Sequence, residues 1–586
     1  MRNLAALTLI FALPVFSAPK VKPKATPEQR TAQGLLRSLN LHDRVAQLVI
    51  GVAYGDAPAS QGKEFQKFRH WVKDLHIGGF IINNRVQYGL VRYANPHTLT
   101  TFLNQMQKLS KVPLLVGGDF ERGASMRVSE TTRFPFNMAY GAARDLDASR
   151  YEGLMTAREA RALGVQWIFA PVADVNNNPA NPVINIRAYG ENPLDVSQHV
   201  AAYIDGAHSD PKNPVLVTAK HFPGHGDTNV DSHFDRPRVE ATRERMSDVE
   251  LKPFQAAIEH QVDSIMTAHL SVPAIEPDDI PATVSKRVLT GLLREELGFK
   301  GLVVTDAMDM AGLSKQFASG EAAVRAIEAG ADVLLMPPDP DAAIRAVLAA
   351  VARGRLSKQR IDESVSRVLE AKLRVGLFKK KFVDLDGVSD ALDSPDEAAH
   401  AQDVADRAVT LVRNEGAFLP LAAPNQTCVL ISAGLKISAF GQRFAEEFRR
   451  RAPQARVTFL DNAMPAAALN AAAGNVSDCS AVIFATFTTN PALAEDLAAF
   501  LQKLTEGAIP VGLVSLGNPY LVKDFPRASL YVAAFSTAPP SEVSVAKALF
   551  GEISLTGKLP VTIPGIAAYG DGIQFPARTQ SAPSAN

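Results

Sequence analysis

Eight short apolar segments recur along the first 350 residues, and their spacing constrains the fold more than any other feature. Successive segments begin roughly 30 to 50 residues apart. Each is rich in Val, Ile and Leu and is bounded by Gly, Pro or polar residues, which is typical of buried parallel strands. The segments are QLVIGVA (47–53), IGGFIIN (77–83), PLLVGGD (113–119), VQWIFAPVAD (165–174), PVLVTAKH (214–221), DSIMTAH (263–269), GLVVTD (301–306) and DVLLMP (332–337).

Helix-like stretches such as 285–297 and 320–330 separate these strands. Eight strand-then-helix units in one domain is the number found in a (β/α)8 barrel. We therefore predict an α/β fold in which residues 19–378 form a TIM-like barrel, closed by a helix over 357–378. Active sites in this architecture lie at the carboxyl ends of the strands.

At 586 residues the whole chain is too long for one core, and some 200 residues follow the predicted barrel. A polar linker at 379–395 precedes a stretch, 394–416, that we predict to be helical. Further strand-like runs, separated by helix-like segments, predict a second α/β domain with a mostly parallel sheet over 396–577. These runs are 428–433, 456–461, 480–487, 511–517 and 529–535. Residues 578–586 are predicted to be a disordered tail.

The charge balance excludes one class of partner. The chain has 61 basic and 61 acidic residues, whereas a nucleic-acid-binding protein is expected to carry an excess of basic residues on one face. Beyond the N-terminus no apolar run is long enough to span a bilayer, so we expect no stable membrane insertion of the mature chain. The sequence leaves the oligomeric state unknown.

The N-terminus, MRNLAALTLIFALPVFSAPK, has the organisation of a secretory signal peptide: Arg2, an apolar run, and small residues around Ala18. We predict a signal peptide at 1–18 and an exported protein, periplasmic or secreted; an uncleaved anchor is the alternative. The two cysteines, Cys428 and Cys479, could then form a disulfide or remain two buried thiols.

Several predicted strands end in an ionisable side chain. Asp119, Asp174, the Lys220–His221 pair, His269 and Asp306 all stand at such ends. A barrel with only a structural role would not require ionisable groups at so many of these positions. They are therefore candidate site residues.

The stretch KHFPGHGDTNVDSH, 220–233, allows three hypotheses. His221, His225 and His233 could converge on a metal ion, although their spacing matches no zinc signature. The loop could be structural. In the third hypothesis it is catalytic: Asp231 lies two residues before His233, where its carboxylate would fix the tautomer of the ring and favour the protonated form needed for acid/base catalysis.

VVTDAMDM, 303–310, supports the catalytic hypothesis. Asp306 directly follows three β-forming residues at the mouth of the seventh strand, where a carboxylate can attack an electrophilic carbon. Asp309 is the rival nucleophile, but the next helix is predicted to begin there. An acidic residue is favoured at a helix N-terminus for structural reasons alone.

With these motifs together, the chain resembles glycoside hydrolase family three, and more narrowly its bacterial β-N-acetylglucosaminidases. The signature KHFPGHGDT followed by DSH carries the resemblance, which covers nearly the whole mature chain. Similar segments are GGDFERGASMRV (117–128), NNPANPVINIRAYG (177–190), the nucleophile region 282–310, LVRNEGAFLPL (411–421), LGNPY (516–520) and FGEISLTGKLP (550–560).

The resemblance implies roles for three catalytic residues. Asp306 matches the nucleophile, His233 matches the acid/base, and Asp231 matches the partner that orients the histidine and stabilises its charge. Relatives of the two-domain β-glucosidase type often take the acid/base from the second domain, where Glu495 would be a candidate; the Asp231–His233 pair makes this unnecessary.

The resemblance also implies a substrate-binding set: Asp119, Arg127, Arg187, Lys220 and His221. The sequence departs from the family after Asp119. The family usually has Gln-Glu-Gly-Gly there, and this chain has Phe-Glu-Arg-Gly at 120–123, so the neighbouring pocket wall is not predicted.

Four further polar residues receive structural predictions. Glu121 is expected to be an ion-pair partner rather than a catalyst. Asp174 is expected to anchor the loop after the fourth strand, and His225 to brace its own loop. His269 is expected either to line the pocket floor or to bond a backbone group.

The implied function is that of an exo-acting retaining β-N-acetylglucosaminidase that removes terminal GlcNAc, with peptidoglycan fragments as substrate and no metal or cofactor. Alternatives in the same family are a chitooligosaccharide-specific hexosaminidase, a β-glucosidase and a GlcNAc phosphorylase, because a neutral imidazole repels phosphate less than a carboxylate does. Two alternatives from other classes are a metal-dependent hydrolase and a non-catalytic sugar-binding protein.

Overall fold

The structure, a computed structural model, describes residues 26–435, 438–474 and 476–578. The predicted signal peptide at 1–18 and all of the predicted tail except residue 578 lie outside these ranges. The described residues contain two α/β units in sequence, as the strand pattern predicts.

The first unit is built on a parallel sheet that confirms the predicted barrel. Within the described residues this sheet has eight strands in the order β10-β1-β2-β5-β6-β7-β8-β9, and neighbouring strands are parallel throughout. The strands are β1 Val49–Ala53, β2 Gly79–Ile82, β5 Leu115–Gly118, β6 Trp167–Ile168, β7 Leu216–Phe222, β8 Ser264–Thr267, β9 Leu302–Val304 and β10 Leu334–Leu335.

The sheet closes between its last two strands. Val304 and Val333 form a parallel bridge, and the amide of Thr305 donates to the carbonyl oxygen of Val333 over 3.0 Å. Because every strand of a closed parallel barrel points the same way, all the strand ends that carry ionisable residues meet at one mouth.

Helices surround this barrel and bury every residue of its strands except Val52, which is partly exposed. They are α1 Pro27–Ser38, α2 Leu41–Ala46, α3 Lys63–Arg69, α4 Pro96–Leu109, α5 Asn137–Ala143, α6 Leu146–Ala162, α7 Pro193–His208, α8 Arg243–Asp248, α9 Lys252–Glu259, the π-helical segment Arg287–Glu296, α10 Ala311–Ser314, α11 Ser319–Ala329, α12 Pro340–Ala352 and α13 Lys358–Arg374. The closing helix α13 thus ends a few residues before the predicted position.

A feature that the strand pattern did not predict follows β2. Residues Arg85–Gln87 (β3) and Leu90–Arg92 (β4) form an antiparallel hairpin with Tyr88–Gly89 as its turn. The hairpin projects from the mouth of the barrel, because it begins three residues after the carboxyl end of β2.

The second unit confirms the mostly parallel sheet and corrects one element. In the described residues its strand order is β11-β16-β15-β14-β12-β13, with only the β11–β16 pair antiparallel. The strands are β11 Thr410–Asn414, β12 Thr427–Ser432, β13 Arg456–Leu460, β14 Ala481–Thr486, β15 Val511–Ser515 and β16 Leu530–Ala533, and the helices are α14 Pro395–Ala408, α15 Gln442–Arg451, α16 Ala466–Ala473, α17 Glu495–Thr505 and α18 Pro539–Phe550.

The prediction of one helix over 394–416 was wrong in its second half. The helix α14 ends at Ala408, and the sequence TLVRN that follows forms the edge strand β11. Pairing with β16, more than a hundred residues away, satisfies the backbone of this segment, and local periodicity carries no information about such a partner.

The two units share an apolar interface. Met138, Ala139 and Ala142 of α5, together with Ile186, are buried in the same cluster as the strands of the second sheet. Two hydrogen bonds add to this contact: Asn176 Nδ2 donates to Tyr520 Oη (2.9 Å), and Asn185 Nδ2 donates to the carbonyl of Thr489 (3.0 Å). The loop that carries Arg187 is therefore held by the second unit.

Two further expectations can be compared with the structure. Cys428 and Cys479 form a disulfide, with their Cα atoms 5.8 Å apart, which is the first of the two alternatives. None of the helices within the described ranges is long and apolar enough to cross a membrane.

Asp332 is a buried carboxylate that joins three parts of the barrel wall. Its Oδ2 accepts from the amide of Val303 (3.0 Å) and from Arg294 (2.5 Å), and its Oδ1 accepts from Ser364 (2.6 Å) and Arg367 (2.9 Å). Burial alone would raise the pKa of Asp332, but the surrounding arginines outweigh burial and lower it. The ionised side chain therefore stabilises the fold at neutral pH.

We predict that Asp332→Asn lowers the free energy of unfolding by about 3–5 kcal/mol, because it leaves partly buried guanidinium groups without their fully buried counter-charge. Asp362→Asn on α13 is the control: it removes a partly exposed pair with Arg44 and should cost at most about 1 kcal/mol. Thermal and urea unfolding of the two variants would measure this difference.

The difference in unfolding free energy between the Asp332→Asn and Asp362→Asn variants should also depend on pH. Since the folded-state pKa of Asp332 lies below its unfolded value, its contribution is present above about pH 4 and is lost as the pH falls. Equal destabilisation by both substitutions at neutral pH would contradict the assignment.

Candidate active site

A cavity of about 380 Å³ opens at the mouth of the barrel. Its wall includes residues at the carboxyl ends of β2, β5, β7, β9 and β10, as the topology requires. Every predicted catalytic and substrate-binding residue except Asp231 lines it: Asp119, Arg127, Arg187, Lys220, His221, His233 and Asp306. The structure thus brings together side chains that lie almost 200 positions apart in sequence.

Asp119 joins two of the predicted cations. Its Oδ1 accepts from Lys220 Nζ over 2.7 Å, and its Oδ2 accepts from Arg127 Nη2 over 3.0 Å. Burial would raise the pKa of Asp119, but the charges of Lys220 and Arg127 outweigh it and bring the pKa to about 2. Asp119 is thus a carboxylate at any physiological pH.

Glu121 is the second carboxylate of this cluster, and it is the ion-pair partner that the sequence suggested. It is buried and accepts two bonds from Arg187, at 2.9 and 2.7 Å, in the bidentate geometry that suits a guanidinium. Its Oε1 also lies 2.8 Å from Lys220 Nζ. Burial opposes ionisation of Glu121, but Arg187 and Lys220 hold its pKa well below the ordinary value.

His221 is fixed by contacts on both ring nitrogens. Its Nδ1 lies 2.7 Å from Asp174 Oδ2, and its Nε2 lies 3.3 Å from Arg187 Nη2. A guanidinium can only donate, so this second contact requires an unprotonated Nε2, and the proton then resides on Nδ1, from which it is donated to Asp174. The ring presented to the cavity is therefore the neutral Nδ1–H tautomer.

Asp174 has a larger role than the anchoring of its own loop. It is fully buried, and besides His221 its Oδ1 accepts from the amide of His225 over 2.7 Å. It therefore orients a predicted sugar-binding ring and also holds the start of the histidine-rich loop. The position of Asp174 after the fourth strand was visible in the sequence, but its partner on the fifth strand was not.

His225 braces the loop, as predicted. Thr228 donates to the carbonyl of His225 and so accepts from its Nδ1 (2.8 Å), while Nε2 accepts from Ser232 Oγ (3.0 Å). Burial lowers the pKa of His225 to about 4, so the ring is neutral. With both nitrogens bonded, His225 fixes Ser232, the residue between Asp231 and His233.

Asp231 and His233 form the predicted pair. One oxygen, Asp231 Oδ1, accepts from both the backbone amide (2.8 Å) and the ring Nδ1 (2.7 Å) of His233. The His233 side chain is 56% exposed, and its Nε2 makes no hydrogen bond within the described ranges. This nitrogen remains available to exchange a proton with a ligand or with water.

Asp306 and Asp309 both line the cavity, but they are held differently. The amide of Asp306 donates to the carbonyl of Thr267 (3.2 Å), and its Oδ1 accepts from the amide of Ala307 (2.7 Å). Asp309 is exposed, just before α10, as the helix-terminus interpretation predicts. Asp306 is therefore the carboxylate with a fixed orientation.

His269 contacts the segment that carries Asp306. It is buried, its Nε2 contacts the carbonyl of Ala307 over 3.0 Å, and its Nδ1 contacts Thr283 Oγ1 over 2.7 Å. Burial lowers the pKa of His269. Of the two expectations for this residue, the backbone-bonding one describes its position, and it positions the peptide next to Asp306.

Sequence reasoning missed the apolar part of the site. Met126, Met310 and Met336 line the cavity beside the charged cluster, and nothing in their sequence context distinguishes them from ordinary core residues. Glu495, the candidate donor from the second domain, is exposed at the start of α17 and is not among the residues that line the cavity.

Arg122, where the sequence departs from the family pattern, is not among the residues that line the cavity. Its guanidinium is 4.8 Å from the ring of Phe136, and burial lowers its pKa. It adds a half-buried cation next to Glu121 in the chain, and Asp119 keeps its bonds to Lys220 and Arg127.

Comparison with known proteins shows the family of this chain. Residues 40–371 match the family described as "Glycosyl hydrolase family 3 N terminal domain". A "Beta-N-acetylglucosaminidase/beta-glucosidase" of Cellulomonas fimi is 28% identical over 558 residues, which cover 90% of this chain and 94% of that protein. A "Beta-hexosaminidase A" of Pseudoalteromonas piscicida is 30% identical over 520 residues, 78% of this chain and 84% of that one.

Among solved structures, a glycoside hydrolase family 3 β-N-acetylglucosaminidase from Paenibacillus sp. str. FPU-7 superimposes with a TM-score of 0.80. It is 32% identical, and the match covers 90% of this chain and 99% of that one. The matched family domain spans the whole barrel and the cavity at its mouth. The chain therefore belongs to glycosyl hydrolase family 3 and is a glycoside hydrolase.

Proposed function

We propose that the protein is an exo-acting, retaining β-N-acetylglucosaminidase that hydrolyses terminal β-linked GlcNAc. The observation that carries this proposal is a single cavity lined by a fixed carboxylate, Asp306, and by a histidine, His233, with one ring nitrogen free. The Cellulomonas and Pseudoalteromonas relatives, named for N-acetylglucosaminidase and hexosaminidase activity, support the choice of sugar.

In the first step, Asp306 attacks the anomeric carbon and the bond to the leaving oxygen breaks. His233 in its imidazolium form donates the Nε2 proton to that oxygen, which leaves the ring neutral with its remaining proton on Nδ1. Asp231 accepts the Nδ1–H bond throughout and stabilises the imidazolium before transfer. The product is a covalent glycosyl ester of Asp306 and a free alcohol.

In the second step, the neutral His233 accepts a proton from water through Nε2 while the water oxygen attacks the anomeric carbon. The ester bond breaks and Asp306 is regenerated as a carboxylate, with His233 protonated again. Two inversions retain the β-configuration. Most retaining glycosidases use a second carboxylate for this role, so a histidine here departs from the general pattern.

The charged cluster is suited to hold the sugar. Asp119 and Lys220 present an acceptor and a donor to adjacent hydroxyl groups, and Arg127, Arg187 and the neutral His221 complete the set. Because these groups are already paired with one another, they are oriented before substrate arrives, which reduces the cost of binding.

We further propose that the substrates are peptidoglycan fragments containing GlcNAc–MurNAc, reached after export by the predicted signal peptide at 1–18. Chitooligosaccharides are the second candidate. The dual name of the Cellulomonas relative is the reason to test β-glucosides beside them.

We expect the protein to cleave aryl β-GlcNAc in preference to aryl β-glucoside. Neither a chelator nor added phosphate should change the rate of this cleavage.

Asp306→Ala should reduce kcat at least about 10⁴-fold, because the covalent step is lost. Asp309→Asn, which alters the rival carboxylate, should reduce it far less, by less than about tenfold. Stronger impairment by Asp309→Asn than by Asp306→Ala would reverse the assignment.

His233→Gln should slow glycosides with poor leaving groups by about 10² to 10⁴-fold, because acid assistance is lost. Formation of the glycosyl-enzyme from a dinitrophenyl β-GlcNAc, which needs little assistance, should change by less than about tenfold. Asp231→Asn is the matched variant, and we expect the same dependence on the leaving group with a smaller amplitude. Pre-steady-state kinetics on both substrates measure these rates. Equal losses on the two substrates would contradict the acid/base role of His233.

A further inference from the structure

The hairpin β3–β4 is attached directly to the wall of the cavity. Asn84, immediately before β3, donates to the carbonyl of Arg127 (2.8 Å) and accepts from its guanidinium (3.4 Å). Asn83, one residue earlier, lines the cavity. The hairpin therefore extends from the same loop that positions a predicted sugar-binding residue.

Its outer surface is unusually apolar for an exposed element. Val86 is 69% exposed, Tyr88 83%, and Val91 and Tyr93 are each 45% exposed. Single exposed apolar residues are common, but four on one short hairpin form a patch of the kind that marks a binding surface. Arg92 adds a cation, whose Nε contacts Gln87.

The backbone conformation of the hairpin turn indicates that Tyr88 does not serve to stabilise the hairpin. Tyr88 and Gly89 occupy its two central positions with φ of 54° and 76°. Positive φ at both positions is a requirement of a type I′ turn, which favours Asn-Gly or Gly-Gly, and a tyrosine is strained there. A large aromatic ring held in an unfavourable backbone conformation and exposed to water is typical of a functional position.

The tip of the hairpin reaches the second domain. A Cβ at Gly89 would lie 2.8 Å from Leu435 Cδ1, which follows the carboxyl end of β12. The same edge of the second sheet contacts the loop that carries Arg187, through Thr489 and Asn185. The hairpin and the loop that carries Arg187 therefore both meet this edge, and Asn83, two residues before the hairpin, lines the cavity.

We propose that the hairpin is a subsite for the leaving-group side of the substrate, where the ring of Tyr88 stacks on a pyranose beyond the cleaved bond. This rests on the proposed function, because the cavity behind the hairpin then holds the terminal sugar. Tyrosine rings match the apolar faces of sugars, and their hydroxyl groups remain in water. Arg92 is placed to attract a carboxylate on an acidic sugar or a peptide.

Tyr88→Asn provides the test, because asparagine fits the turn better than tyrosine does and should leave the thermal midpoint unchanged or raise it. We expect kcat/KM for a tetrasaccharide of β-linked GlcNAc to fall about three- to tenfold, through KM. With β-GlcNAc fluoride, whose leaving group is a single atom, kcat/KM should stay within twofold. Tyr88→Phe, which keeps the ring, is the matched control and should behave as the wild type on both substrates.

Each outcome separates the two proposals. No turnover of either substrate by the wild type would overturn the proposed function. Turnover by the wild type with equal kcat/KM for Tyr88→Asn on the tetrasaccharide would overturn the subsite alone. A concentration-dependent mass that Tyr88→Asn abolishes, without a change in kinetics, would assign the patch to contact with a second copy of the chain instead.

Discussion

The buried bonds of Glu121 to Arg187 and Lys220 are the interaction on which the sugar side of the site depends. Three cations and two carboxylates, with Asp119 and Arg127 completing the set, are partly or wholly withdrawn from water. Each would be costly to bury alone, and removal of one partner leaves an uncompensated charge. The mutual bonds keep all five ionised and fix their positions. The same bonds leave Asp119 and Lys220 facing the cavity, so the stabilising contacts also orient the binding groups.

This cluster depends in turn on the second domain. Arg187 lies on a loop whose Ile186 is buried in the core of that domain and whose Asn185 bonds the carbonyl of Thr489. Asn185 has a φ of 40°, and the surrounding contacts hold this unfavourable conformation in place. Since Glu495 is not among the residues that line the cavity, the described contacts give the second domain a supporting role: it fixes the arginine that fixes Glu121.

The sequence predicted the elements whose signals are local. Eight buried strands give eight apolar runs, and the ionisable residues at their ends, such as Asp119, Lys220 and Asp306, meet because parallel strands share a direction. Elements determined by distant partners were not predictable. TLVRN continues a helical stretch in sequence, yet pairing with β16 makes it a strand. Similarly, the sequence contains Glu121, Asp174 and Tyr88. It does not show the bond of Glu121 to Lys220, the bond of Asp174 to His221 or the exposure of Tyr88 at the turn of a hairpin.

The two sides of the site differ in exposure, and the difference has a physical reason. On the sugar-binding side the charged groups are largely buried and are paired with one another, which suits groups that must keep one geometry. The ring of His233 is mostly exposed, and among the described residues it is bonded only through Nδ1. This suits a group that must give up a proton and regain one in each turnover. The connection between the sides is His225, a neutral ring whose bonds to Thr228 and Ser232 anchor the loop one residue before His233. The bonds of His225 thereby hold the loop close to His233, so that His233 can exchange protons with water while it lines the same cavity as Asp306.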